Sequence, residues 1–119
     1  MKKTLILGAT TNQGRYAYLA ANKLKAHGHD IINIGIKSGE AAGVKIERAA
    51  EVYTDVDTIT LYISSTHQSE YYNYILKTNP KRIIFNPGTG NPELESLAAQ
   101  NNIEVVHACT LVLLSIGQY

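Results

Sequence analysis

The chain has a single cysteine, Cys109, so it has no internal disulfide framework, and a lone thiol among 119 residues fits a reducing compartment. It has no excess of either charge. Eleven Lys and Arg against ten Asp and Glu leave a formal net charge of +1, which argues against a dedicated nucleic-acid binder, and no run of basic residues marks a polybasic membrane anchor. Long apolar runs are missing too. Met1-Lys2-Lys3-Thr4-Leu5-Ile6-Leu7-Gly8 opens like the charged end of a signal peptide, but its apolar stretch stops at Gly8, far short of a signal core or a membrane span. The expectation is a cytoplasmic protein with no membrane partner. There is no internal repeat, low-complexity tract or linker. A hydrophobic content of 45% is enough to build a core, and the length suits one domain over residues 1–119 with no room for a second catalytic domain.

Short apolar runs alternate with amphipathic stretches along the chain. Lys3–Ala9 reads as a first strand, buried on both faces because its apolar residues do not alternate with polar ones. Arg15–Ala26 reads as a helix whose buried face is Ala17, Ala20, Ala21 and Leu24, with Gly28 as its stop. Ile31–Ile36 is a second strand. Lys37–Thr54 reads as a loop with a small extended piece at Val44–Ile46 and a helical turn near Ala49–Val52. Thr58–Ile63 is a third main strand, rich in β-branched residues. A helix then runs to Lys77, with Ser65 and Gln68 as a capping box and Tyr72, Ile75 and Leu76 facing inward. Arg82–Phe85 is the fourth strand, Asn91-Pro92 opens the next helix, Ile103–Val106 is the fifth strand, and Thr110–Ile116 is a short closing helix. This alternation without hairpins predicts an α/β, Rossmann-like three-layer sandwich around a five-stranded parallel sheet of order 3-2-1-4-5.

In such sheets ligands bind beyond the carboxyl ends of the strands, where strand order reverses. The first segment there is Gly8-Ala9-Thr10-Thr11-Asn12-Gln13-Gly14-Arg15-Tyr16. Its small residues let a phosphate approach backbone N–H groups at a helix start, where the macrodipole also favours an anion. It is neither the dinucleotide fingerprint, since only Gly8 matches G-x-G-x-x-G, nor a Walker A loop, since no G-K-[ST] follows. Gly8 and Gly14 serve a tight strand-to-helix turn equally well, and both readings stand on this loop alone. The second segment, Gly35-Ile36-Lys37, decides more. An NAD site wants a carboxylate at the end of strand two; a lysine suits a ribose phosphate, the 3′-phosphate of coenzyme A or the 2′-phosphate of NADP. A solvated surface lysine is the commoner fate of Lys37 taken alone. The coincidence with the first loop favours the phosphate. Asn86-Pro87-Gly88-Thr89-Gly90-Asn91 is a turn-rich loop raised above ordinary turn chemistry only by its place on this edge.

Taken in order, these segments resemble the small stand-alone CoA-binding proteins related to the N-terminal domain of succinyl-CoA synthetase α-subunits. The resemblance rests on Gly8-Ala9-Thr10 closing strand one, Lys37 after strand two, the small-residue turn Ile63-Ser64-Ser65, the loop Asn86-Pro87-Gly88, and Cys109 after the last strand. No one of these is specific; the ordered set, over essentially the whole chain, is. Gln13 stands where many relatives carry proline, and Thr10 replaces the usual serine but keeps its hydroxyl. The resemblance implies coenzyme A as cofactor, lying across the carboxyl edge. Gly8, Ala9, Thr10, Thr11 and Asn12 would take the phosphates; Gly35, Ile36 and Lys37 the ribose phosphate; Ile63, Ser64, Asn86, Pro87 and Gly88 the pantetheine arm, with Cys109 near its end. Arg15 and Tyr16 at the helix start would add a charge and a packing surface for the nucleotide.

No catalytic set is legible. His27 and His29 sit two apart at a helix exit without carboxylate or cysteine partners at metal-ligand spacing, and His67 shows no carboxylate partner. His107 and Cys109 make a thiolate–imidazole pair only if the chain turns to bring them together; a packed cysteine is the commoner case. Tyr71, Tyr72 and Tyr74 span different helix faces with no basic groove, against base stacking; Tyr72 reads as core and Tyr71 or Tyr74 as a packing or dimer surface. The apolar tail Leu111–Leu114, with Ile116 and Tyr119, should dock on its own sheet or on a second subunit. The reading is a module that binds coenzyme A or a short acyl-CoA without chemistry. Two alternatives are an NADP-dependent enzyme and a CoA-binding subunit that completes an acyl-CoA enzyme with a partner chain.

Overall fold

A computed structural model describes all of residues 1–119. The elements in order are β1 (Thr4–Leu7), α1 (Tyr16–Ala26), β2 (Ile31–Ile34), β3 (Glu40–Ala41), β4 (Val44–Glu47), β5 (Thr58–Leu61), α2 (Ser65–Gln68), a 3₁₀ turn (Ser69–Tyr71), α3 (Tyr72–Thr78), β6 (Arg82–Phe85), α4 (Pro92–Gln100), β7 (Glu104–His107) and α5 (Thr110–Ser115). Both faces of β1 are covered, as its unbroken apolar run requires. Leu5 and Leu7 point into a core that also holds Ile59, Ile75, Ile83 and Leu94. Ile6, between them, points the other way, onto Ala17, Ala21 and Leu24 of α1 and Leu114 of α5. The result is three layers: α1 and α5 on one face, α3 and α4 on the other, and the sheet between them.

The sheet corrects the sequence expectation in two ways. It has seven strands, ordered β3-β4-β2-β1-β5-β6-β7, and β3 runs antiparallel to β4, so it is neither five-stranded nor wholly parallel. The third main strand, β5, also pairs with β1 and not with β2. The slot beside β2 is filled by the short extended piece, β4, which pairs in parallel with β2 through Asn33–Ile46 and Ile34–Glu47. Counting only the five main strands, the order is 2-1-3-4-5. The amide of Asn33, wholly buried, fastens the β3–β4 hairpin by donating to Ala41 O and Val44 O, both at 3.0 Å.

The helix expected from Ser65 to Lys77 is broken. Ser64 is the N-cap, and the 3₁₀ turn at Ser69–Tyr71 separates α2 from α3. A 3₁₀ turn advances three residues per turn instead of 3.6, so it rotates the face that follows. Tyr74, Ile75 and Thr78 are therefore the buried residues of α3, while Tyr72 and Leu76 are only half-buried. The α4 start is as its residues dictate: Asn91 Oδ1 accepts from the N–H groups of Glu93 and Leu94, behind Pro92. The tail docks on its own sheet in part, with Val112 and Ile116 left exposed. Leu114 is buried, and Tyr119 returns to the amino edge, where its hydroxyl meets Thr4 Oγ1 at 2.5 Å and the Arg82 guanidinium lies 4.5 Å from its ring centroid. No helix is long and apolar enough to cross a membrane.

Candidate functional site

Strand order reverses between β1 and β5, and there the carboxyl edge is drawn together by glycines. Gly8 has φ +104°, and a Cβ on it would stand 2.7 Å from Tyr62 O, so only glycine lets the first loop lie against the end of β5. A Cβ on Gly35 would stand 2.4 Å from Ala9 O, and one on Gly39 would meet Thr11 Cγ2 at 2.4 Å. The segment 35–39 that carries Lys37 thus packs directly on the first loop. Gly14 has no such constraint.

The first loop is held by its own side chains. Thr10 Oγ1 accepts from Asn12 N at 3.1 Å, Asn12 Oδ1 from Gly14 N at 3.0 Å, and Asn12 O from Arg15 N at 3.0 Å. Gly8 N and Ala9 N both donate to Ile34 O at 2.9 Å. The N–H groups of Thr10, Thr11, Gln13, Tyr16 and Ala17 donate to no acceptor in the chain, and the α1 N-cap, Arg15, supplies no side-chain cap. Free N–H groups at a helix start carry the positive end of the helix dipole, an arrangement that favours an anion. Around it Arg15 and Lys37 are exposed and form no ion pair, and Tyr16 and Ile36 are exposed apolar surfaces at 71% and 65% of their area.

The other half of the edge is knitted by buried polar side chains. Asn86 is buried, with its Nδ2 donating to Thr60 Oγ1 at 2.7 Å and Leu61 O at 2.8 Å and its Oδ1 accepting from Thr110 N at 2.9 Å. Its side chain is fully occupied inside the protein and shapes the loop without facing outward. Thr89 Oγ1 closes the same loop on Asn86 O at 2.7 Å. Gln68, which the sequence marks as a capping residue, instead donates from Nε2 to Ile63 O and Thr89 O and accepts from Asn91 Nδ2. Ser64 is exposed, with its hydroxyl 3.1 Å from that of Thr66. Burial pushes the Tyr62 phenol up to about 12. Thr60 and Thr110 lie beside its hydroxyl and oppose that rise, but they bond each other at 2.8 Å and leave the Tyr62 oxygen without a hydrogen-bond partner.

Beyond β6 and β7 lies an open cleft of about 380 Å³, lined by Phe85, Asn86, Pro87, Gly88, Gly90, His107, Ala108 and Cys109. The chain does bring His107 and Cys109 to one cleft, but not into a pair. His107 Nε2 is 3.0 Å from Glu95 Oε1 and its ring stacks on Phe85 at 5.4 Å, while Cys109 is the half-buried N-cap of α5 and forms no hydrogen bond with it. Glu95 was not a sequence candidate, because its contact with His107 depends on α4 packing beside β7. A cavity of similar size, about 400 Å³, lies at the opposite edge among Met1, Lys3, Asp30, Asp55, Asp57 and Lys81, away from every strand's carboxyl end.

A family described as the CoA binding domain matches residues 2–115. The chain belongs to the CoA-binding domain family. Among curated proteins none matches it. A solved structure described as that of an uncharacterized protein is 56% identical, with a TM-score of 0.97, covering 100% of this chain and 98% of its own. A Thermus thermophilus protein at 19% identity has a TM-score of 0.87 over 99% of this chain and 90% of its own, and a hypothetical protein from Pyrococcus horikoshii OT3 at 23% identity has a TM-score of 0.83 over 93% and 79%. The last two show the fold alone. Membership of the CoA-binding domain family supports a CoA-binding role.

Proposed function

We propose that the protein binds coenzyme A, free or carrying a short acyl group, across the carboxyl edge of its sheet, as a binding or sensing module. The observation that carries this reading is the combination of free N–H groups at the α1 start with an exposed, unpaired Lys37 one strand away, on a segment that Gly35 and Gly39 pack against Ala9 and Thr11 of the first loop. That pair suits a ligand with both a diphosphate and a ribose phosphate. Strands lie about 4.8 Å apart, so the edge from β1, which the first loop follows, to β7 spans three spacings, about 14 Å, the stretch along which a pantetheine arm would lie from the first loop to the cleft beside Cys109. In this reading Thr10, Thr11 and the start of α1 hold the diphosphate through backbone N–H groups, with Arg15 near it. Tyr16 and Ile36 flank the adenosine, and the loops at Ile63-Ser64 and Asn86–Gly88 guide the arm. Asn86 acts there by shaping the loop. The module is read without chemistry because no hydrogen bond joins Cys109 to His107, whose Nε2 is instead engaged by Glu95. Calorimetric titration with CoA, NADP and NAD tests this. CoA should bind most tightly, and tighter binding of NAD or NADP would sink the proposal.

A further inference from the structure

A buried carboxamide is costly unless its donors and acceptor are paired. Gln68 is completely buried and is paired throughout: Nε2 donates to Ile63 O at 2.8 Å and to Thr89 O at 2.7 Å, and Oε1 accepts from Asn91 Nδ2 at 2.9 Å. The two carbonyls belong to different loops, one after β5 and one after β6. Both lie beyond the strand ends at Leu61 and Phe85, where no ladder reaches them, and neither accepts from any other donor in the chain. Asn91 continues the link into α4 by accepting from Glu93 N and Leu94 N. One side chain therefore sets the spacing of two loops and ties both to a helix. Its own hydrogen bonds do not reach the first loop, which meets the chain after β5 only through Gly8 against Tyr62 and Ile63, or the segment with Lys37.

We propose that Gln68 is a positioning residue for the pantetheine arm, holding the Ile63-Ser64 and Asn86–Thr89 loops at the separation that arm requires, with no role in binding the nucleotide. The inference rests on the CoA reading above. Pantetheine is an uncharged chain recognised through its amides and its width, so a shift of either loop weakens it, whereas phosphate binding at the α1 start depends on other elements.

The test titrates CoA and adenosine 3′,5′-bisphosphate, which lacks pantetheine, against the natural protein and Gln68→Met, which keeps the length and loses every hydrogen bond. Gln68→Asn, which keeps the amide on a shorter arm, is the milder second variant should the first not fold. CoA affinity should fall about tenfold. Affinity for the bisphosphate should stay within about twofold. Equal weakening of both ligands would show a merely structural residue and overturn the proposal, as would unchanged CoA affinity. A natural protein that binds neither ligand would remove the CoA reading and this inference with it. One that binds both, with no split in the variants, would remove the role of Gln68 alone.

Discussion

Replacing Lys37 by alanine isolates the contact on which cofactor choice rests. Lys37 is exposed and makes no hydrogen bond or ion pair within the protein, so its loss should leave stability unchanged within about 0.5 kcal/mol. An ammonium 4 Å from a phosphate gains about 4 kcal/mol per unit charge at an effective dielectric of 20. Desolvation of the ammonium and salt screening at an exposed site reduce that to about 1–2 kcal/mol, or about five- to thirtyfold in affinity. Dephospho-CoA lacks only the 3′-phosphate, so it should bind the natural protein more weakly than CoA by this factor. Lys37→Ala should weaken CoA by the same factor and leave dephospho-CoA nearly unchanged. Two proteins and two ligands form a cycle whose coupling term removes general destabilisation, and calorimetry at low and moderate salt reads it directly. The coupling should shrink as salt rises. A coupling near zero at low salt would show that Lys37 is a solvated surface lysine and refute the argument from strand two.

Gly8→Ala should destabilise by at least about 2 kcal/mol in urea titrations, because the new Cβ meets Tyr62 O at a positive φ, whereas Gly14→Ala should be tolerated. Asn86→Ala should cost about 2–4 kcal/mol by the same measurement, since Thr110 N and Leu61 O lose a buried partner. Burial, followed by the positive charges of the N-terminus, His27, Lys2 and Arg82, lowers the pKa of His29, whose Nδ1 accepts from Lys2 N. The unfolded chain therefore binds the proton more readily, and this contribution to stability falls as pH drops through the ordinary histidine value of 6.5 towards the lowered folded value. His29→Gln should flatten that part of the pH–stability curve, and an unchanged curve would show that His29 does not set it.

The elements legible from sequence were those whose own residues decide them. The four apolar positions of α1, the unbroken core of β1 and the Asn91-Pro92 start of α4 all took the places their spacing dictates. What could not be read was decided by partners distant in sequence. The β4 strand is four residues with a single buried side chain, Ile46, and exists because Asn33 and the edge of β2 receive it. Gln68, just before the break, bonds two carbonyls, one of them on distant Thr89, so a local S-x-x-Q pattern suggested a cap where the protein builds a crosslink. The candidate site was legible in its position, since the edge rule and the glycines locate it. It was less legible in its side chains: Asn86 faces inward, and Thr60, Gln68, Thr89 and Thr110, which fix the loops, lie inside strands or helices or show no pattern of their own.

The central claim, that CoA lies across the carboxyl edge, is tested most directly by amide NMR of the labelled protein titrated with CoA. The account predicts that the largest shifts fall on the free N–H groups of Thr10, Thr11, Gln13, Tyr16 and Ala17, on the segment from Gly35 to Gly39, and on Gly88, Gly90 and Cys109. Shifts confined to the opposite edge, at Lys3, Asp30, Asp55, Asp57 and Lys81, or no saturable shifts at all, would contradict it.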